Sequence, residues 1–309
     1  MTARNRTLYK VIAGVAGGGA LLAATPLVAS AVTSDDPPPT VAAKGATLVD
    51  TGSGESLMDK SADKALPMAS TTKIMVASVV LDDKNVDLDQ KVPVKQAYRD
   101  YVEDNHTSTA DLQTGDKVSL HQLLYASLLP SGADAAYALA DTLGDGSTSK
   151  DRVDSFVEKM NDKADELRLT RTTYTTFDGS SAEDTSTPSN LAKLAEHAMQ
   201  NATFRKVVKT KKYETEAPAA NGHTRYYTWT TTNKLLGEYD GVVGVKTGTT
   251  SKAGECLVFA ADRGDKHLVG TVLNSKKRYE DAGKMLDYGF GADDAKDLDL
   301  DKSAKKERD

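Results

Sequence analysis

The feature that most constrains this chain is a change of hydrophobic rhythm along it: strand-like runs near both ends enclose a long middle whose apolar residues recur at helical spacing. Ala46 to Asp50, a Gly-Ser-Gly turn at 52–54 and Ser56 to Met58 read as a hairpin. Ile74 to Leu81 is a compact apolar run, predicted to be a buried helix beginning near Ser70. Leu120, Leu123, Leu124 and Leu128 keep helical spacing until Pro130-Ser131-Gly132 breaks it, and a second helix restarts after Asp134. Val153, Phe156, Val157, Met160, Ala164 and Leu167 mark one face of a longer helix, and Thr187-Pro188 supplies the N-cap and first-turn proline of another. From about residue 224 strands return, in Tyr226–Thr230, Val242–Val245 and Cys256–Ala261, the last turning through Arg263-Gly264-Asp265 into Leu268–Leu273. A closing helix carries Tyr279, Ala282, Met285 and Leu286. This order predicts an α/β (α+β) fold: a mostly antiparallel sheet flanked by helices, with an all-helical lobe inserted between its N- and C-terminal parts and a cleft where the two meet.

The ends read differently. Arg4, Arg6 and Lys10 precede an uncharged stretch, Val11 to Val28, which closes on the small-x-small pattern Ala29-Ser30-Ala31; residues 1–31 are expected to be a signal peptide and the chain to be exported. An uncleaved signal would leave it tethered. Residues 32–43, with three consecutive prolines, read as a linker, 44–290 as the folded domain, and 291–309 as a charged disordered tail. No apolar run near the C-terminus offers a membrane anchor, so none is expected there. Losing residues 1–31 takes the formal charge from −6 to −9, which argues against a nucleic acid partner. The single cysteine, Cys256, excludes an intramolecular disulfide, so stability must come from the core.

Three short segments are chemically suggestive. Ser70-Thr71-Thr72-Lys73 sets a hydroxyl and an amine three positions apart, on one face of a helix. A lysine kept neutral by burial can take the serine proton without any histidine. The same spacing occurs at Ser61/Lys64, Ser147/Lys150 and Ser303/Lys306, but only Ser70 directly precedes a strongly apolar run that would hold the pair rigid. Lys246-Thr247-Gly248-Thr249 follows the Gly241–Val245 strand; a lysine and two hydroxyls on an edge strand suit a ligand ending in a carboxylate, and the glycine permits its close approach. Ser131-Gly132-Ala133 lies on a tight interhelical connection, where a hydroxyl could relay a proton. Taken singly, each has a bland reading as an N-cap, a strand end or a helix break. Together, their order and context raise all three.

Pro67-Met68-Ala69-Ser70-Thr71-Thr72-Lys73-Ile74-Met75, Leu128 to Ala136, and Gly244 to Thr249 with Ala253-Gly254-Glu255-Cys256 resemble the low-molecular-mass penicillin-binding proteins, the serine D-alanyl-D-alanine carboxypeptidases. The likeness runs from about residue 44 to 290. It implies a β-lactamase/transpeptidase-like fold, a peptidoglycan stem peptide ending in D-Ala-D-Ala as substrate, β-lactam antibiotics as covalent inhibitors, and no metal or organic cofactor. By that resemblance Ser70 is the nucleophile, Lys73 the base and Ser131 the proton relay. Lys246, Thr247, Gly248 and Thr249 bind substrate, with the backbone N–H groups of Ser70 and Thr249 as the oxyanion hole. One position departs from the pattern: the family usually has Ser-Gly-Asn where this chain has Ser131-Gly132-Ala133.

Two other readings compete. A class A β-lactamase shares fold and motifs but needs a glutamate to activate the deacylating water; Glu166-Leu167-Arg168-Leu169-Thr170 is the nearest string, and it reads as the end of a helix. A cell-wall binding or scaffold protein that keeps the fold without turnover would be supported by Ala133 alone. Scattered histidines at 106, 121, 197, 223 and 267 give no zinc motif, and there is no Gly-x-Ser-x-Gly elbow.

Overall fold

A computed structural model of the protein describes residues 37–298 together with 300; the expected signal peptide, and the tail from 301 onward, lie outside the described residues. The N-terminal hairpin is β1 (Gly45–Asp50) and β2 (Glu55–Lys60), followed by a short strand β3 (Leu66–Pro67). A 3₁₀ turn, Ala69–Thr72, leads into α1 (Lys73–Asp82). The lobe then comprises β4 (Lys91–Pro93), α2 (Gln96–Asn105), β5 (Lys117–Ser119), α3 (Leu120–Leu128), α4 (Ala133–Leu143) and α5 (Ser149–Glu166). After β6 (Thr185–Ser186) come α6 (Pro188–Met199) and α7 (Ala202–Val208), then a separate hairpin, β7 (Lys212–Pro218) and β8 (Thr224–Thr230). Three long strands, β9 (Val242–Thr250), β10 (Gly254–Arg263) and β11 (Lys266–Ser275), and a last helix α8 (Arg278–Phe290) complete it.

The main sheet runs β2-β1-β11-β10-β9 and every neighbouring pair is antiparallel. Alternation along β10 sorts its side chains to opposite faces. Leu257, Phe259 and Ala261 join a core under α8 with Tyr279, Met285 and Leu286, while Cys256, Val258 and Ala260 join the larger core built with α1 and α3 to α7. The expected sheet is therefore present, with β9 as its edge strand, but the lobe is not all-helical as expected: β4 and β5 pair antiparallel within it, strands of three residues each, too short to leave a periodic signal. The β7–β8 hairpin is a two-stranded sheet of its own, and β7 lies in a stretch whose alternation was not read as strand. Its inner face is held by Tyr227 and Arg225, which donate to the buried Asp116 carboxylate at 2.7 and 2.9 Å, and by the Trp229 indole, which donates to the Ala110 carbonyl at 2.9 Å.

Both predicted domain boundaries are too narrow. At the linker end, Val41 and Ala43 are buried, and the N–H groups of Ala42 and Ala43 donate to the buried Asp281 carboxylate at 2.7 and 2.9 Å. At the tail end, residues 291–298 dock instead of hanging free: Asp287 accepts from the N–H groups of Asp294 and Ala295, Asp294 pairs with Arg263 at 2.8 Å, and Leu298 packs on the α8 core. Reading charge density alone misses such anchors, because one buried carboxylate satisfying two backbone donors holds a segment that has little apolar surface.

Candidate active site

The start of α1 departs from a simple helical reading. Ser70 is in the 3₁₀ turn, and the α-helix begins only at Lys73. In a 3₁₀ turn residues i and i+3 eclipse one another, so the hydroxyl and the amine are aligned more closely than on an α-helix. Ala69, just before the serine, has φ +49°, a left-handed conformation that non-glycine residues adopt at a cost of order 1 kcal/mol. The turn is stitched by the Thr71 hydroxyl donating to the Met68 carbonyl at 2.7 Å, and four apolar residues of α1, Ile74 to Ala77, anchor it in the core.

Lys73 is 1 % exposed. Its Nζ lies 3.1 Å from Ser70 Oγ and donates to the Asp178 carbonyl at 2.9 Å. Burial holds its amine below the ordinary lysine range, opposed by the negative charges of Asp178, Asp134 and Asp184. A neutral amine has two N–H donors and one lone pair, so it can give one hydrogen to Asp178 O while its lone pair faces the serine hydroxyl.

β9 brings the second group to the same place. The strand continues five residues beyond the short run read from sequence, so Lys246 to Thr249 lie within it. A Cβ added to Gly248 would sit 3.0 Å from Ser70 N and 2.9 Å from Met68 O, so the glycine lets the strand edge press on the serine turn. Lys246 is buried, donates to the Thr247 carbonyl at 3.0 Å, and is held well below the lysine range by burial, with repulsion from Lys73 and Arg278 adding to it. The Thr247 hydroxyl lies 2.6 Å from that of Thr232, whose N–H donates to the Leu129 carbonyl at 3.0 Å. That bridge brings the α3–α4 connection, and with it Ser131, to the strand.

Ser131 is buried and has φ +68°. Among the described residues no hydrogen bond joins its hydroxyl to Ser70 or Lys73. The following helix starts at Ala133, two residues earlier than expected: the Ala133 N–H donates to the Ser108 carbonyl at 2.8 Å, and the Asp134 carboxylate accepts from the N–H groups of Ala110 and Leu112. Position 133 itself is fully buried.

Sequence reasoning missed Arg278, Thr232 and the whole 174–184 loop. Arg278 donates from Nη1 to the Gly248 carbonyl at 3.1 Å and to Thr249 Oγ1 at 2.8 Å, fixing the end of the strand from α8. Nothing local signals it, since it lies about thirty residues downstream in the first turn of a helix. Glu166, the one candidate for a β-lactamase glutamate, has a 64 % exposed side chain and pairs with Lys163 at the surface. Among the described residues no cluster of three or more His, Cys, Asp or Glu is arranged to hold a metal ion.

Comparison with known proteins meets this geometry directly. The family model for D-alanyl-D-alanine carboxypeptidases, the S11 peptidases, matches residues 30–277. The chain belongs to that family. A D-alanyl-D-alanine carboxypeptidase of Streptomyces sp. strain K15 is 49 % identical over 256 residues, covering 81 % of this chain and 88 % of the relative. The crystal structure of the Streptomyces K15 DD-transpeptidase superposes with a TM-score of 0.81 at 49 % identity, covering 83 % of this chain and all of that one. The D-alanyl-D-alanine carboxypeptidase DacB2 of Mycobacterium tuberculosis is 33 % identical over 252 residues, covering 79 % and 80 %. This D-alanyl-D-alanine carboxypeptidase is thus a serine-type peptidase with the penicillin-binding fold, as its motifs implied.

Proposed function

We propose that the chain cleaves the terminal D-Ala-D-Ala bond of peptidoglycan stem peptides through an acyl-enzyme on Ser70, and that β-lactams acylate the same hydroxyl. The observation that carries this reading is the 3.1 Å contact between Ser70 Oγ and a buried lysine amine whose pKa burial lowers. Lys73 takes the serine proton as Oγ bonds to the carbonyl carbon; the C–N bond then breaks, and the proton reaches the departing D-alanine nitrogen by way of Ser131. Water adds to the ester and releases the shortened peptide. The K15 relative is described as a DD-transpeptidase, and an acceptor amine in place of water gives transpeptidation by the same acyl-enzyme.

The substrate's terminal carboxylate belongs on β9. Thr247 and Thr249 offer hydroxyls, and Arg278 keeps Thr249 in place. Burial lowers the pKa of the Lys246 amine, and a carboxylate arriving beside it acts in the opposite direction, since an opposite charge favours the ammonium. The N–H groups of Ser70 and Thr249 receive the developing oxyanion, each such donor being worth about 3 kcal/mol in the transition state. The substrate is polymer outside the membrane, and the basic, uncharged and small-x-small segments of residues 1–31 support export to it.

Incubation with a synthetic peptide ending in D-Ala-D-Ala, with glycine as an added acceptor, tests the reaction. D-alanine should be released at both acceptor concentrations, and a folded protein that acylates with penicillin yet never frees D-alanine contradicts the peptidase reading. Gly248→Ala is expected to slow penicillin acylation about tenfold by displacing the Ser70 turn, while leaving the unfolding midpoint nearly unchanged. Paired stopped-flow and thermal melts check it.

A further inference from the structure

The carbonyl that holds Lys73 belongs to a loop with its own internal wiring, and that wiring ends on a carboxylate the reaction does not use. The loop runs from Tyr174 to Asp184 and is pinched at its base by the antiparallel bridge Thr173↔Thr185. Asp184 is fully buried. Its Oδ1 accepts from the N–H groups of Thr175 and Thr176 at 2.6 and 2.9 Å, and its Oδ2 accepts from the Thr176 hydroxyl. The oxygen of that same hydroxyl accepts from the Gly179 N–H at 3.1 Å. Gly179 N–H and Asp178 C=O are the two ends of one peptide group, and the carbonyl end receives the Lys73 amine at 2.9 Å. A line of hydrogen bonds therefore runs carboxylate, hydroxyl, peptide, amine, each polarising the next.

Two further contacts tie this line to the nucleophile. The Asp184 backbone carbonyl accepts from the Met68 N–H at 3.2 Å, two residues before Ser70. A Cβ on Gly179 would lie 2.0 Å from the Ala69 carbonyl, so the loop lies directly on the serine turn and has φ +83° at its closest point. A displacement of the Asp178–Gly179 peptide thus reaches both members of the Ser70–Lys73 pair.

We propose that Asp184 and Thr176 are positioning residues for acyl transfer, aiming the Asp178 carbonyl so that the Lys73 amine keeps its lone pair toward Ser70. The inference rests on the reading of Lys73 as the base. The charged groups around that amine are Asp178 and Asp184 from the loop, Asp134 from α4 and Lys246 from β9. Asp178 is itself fixed by the Tyr101 hydroxyl at 3.2 Å and the Ser180 N–H at 3.1 Å. Removing the Thr176 hydroxyl leaves all of these charges in place and removes only the aim. Removing the Asp184 charge deletes one of the groups that favour the Lys73 ammonium.

The test is the second-order rate of acylation by a fluorescent penicillin from pH 5 to 10, normalised to the folded, titratable fraction, for the full chain and for Thr176→Val, Thr176→Ser and Asp184→Asn. Thr176→Val should lower the plateau about tenfold, and Thr176→Ser, which restores the hydroxyl, should return it to within about twofold. Asp184→Asn should lower the plateau and move the acidic limb to lower pH, because Lys73 then loses its proton more readily. A Thr176→Val chain that acylates like the unmodified chain, or whose loss disappears on normalisation to folded protein, overturns the inference while leaving the base assignment intact. An unmodified chain that does not acylate at all overturns both.

Discussion

Ser70→Ala loses covalent penicillin labelling entirely, and its release of D-alanine falls by about 10³-fold or more, because among the described residues no other hydroxyl in the cleft is hydrogen-bonded to a buried lysine amine. Ser131 and the two β9 threonines are nearby hydroxyls, yet among the described residues none is hydrogen-bonded to a lysine amine. The substitution removes one oxygen from a partly exposed position in a turn that is stitched by Thr71 and anchored by α1. Its unfolding midpoint should therefore lie within a few degrees of the unmodified chain, and a thermal melt beside the D-alanine assay separates lost chemistry from lost fold. Retained hydrolysis in a chain lacking this hydroxyl would move the nucleophile elsewhere.

Lys73→Met has nearly as large an effect, a fall of about 10³-fold in acylation, with a different signature. Methionine fills much of the same space but can neither accept the serine proton nor donate to Asp178 O, so the variant keeps its hydroxyl and loses its base. The pH dependence follows from the sign of the Lys73 shift. The active form is the neutral amine, burial lowers its pKa from the ordinary lysine value of about 10.4, and acylation therefore rises with pH through a limb that lies below that value. In Lys73→Met the residual rate should lack that limb. Stopped-flow acylation across pH compares the two, and a residual rate that keeps the same limb assigns it to another group.

The sequence was most informative where chemistry and periodicity coincide. Continuous apolar runs along β10 and β11 and the helical stripe of α5 revealed the sheet and the lobe, since both are long and most of their apolar residues are buried. Ser70, Lys73 and Lys246 to Thr249 were legible because each lies in a short string with an unusual demand, a reactive pair ahead of a buried helix or a glycine in an edge strand. What was hidden is held by single polar contacts between distant segments. Asp281 gathers residues 42 and 43 across more than 230 positions, Arg278 reaches β9 from α8, and Asp184 wires a loop whose glycine and aspartate look like any turn. Such contacts leave no periodic trace.

Ala133 illustrates the same limit from the other side. Sequence marks it as a departure from the family pattern, and in the structure it is buried at the first position of α4, with its N–H donating to Ser108 O. The Lys73 amine nevertheless has two partners without it, Ser70 Oγ and Asp178 O, which take its lone pair and one of its N–H donors. With alanine at this position the reactive pair is still assembled, in keeping with an active peptidase.

The most direct test of that conclusion is an intact-mass time course of residues 32–309 mixed with benzylpenicillin, followed by tryptic mapping. Opening of the lactam ring transfers every atom of the drug to the enzyme, so the account predicts a single adduct of the full drug mass that persists for minutes or longer. It should map to the peptide between Lys64 and Lys73, which contains Ser70. No adduct on folded protein, an adduct on another peptide, or rapid loss of the drug with free enzyme regenerated would contradict it.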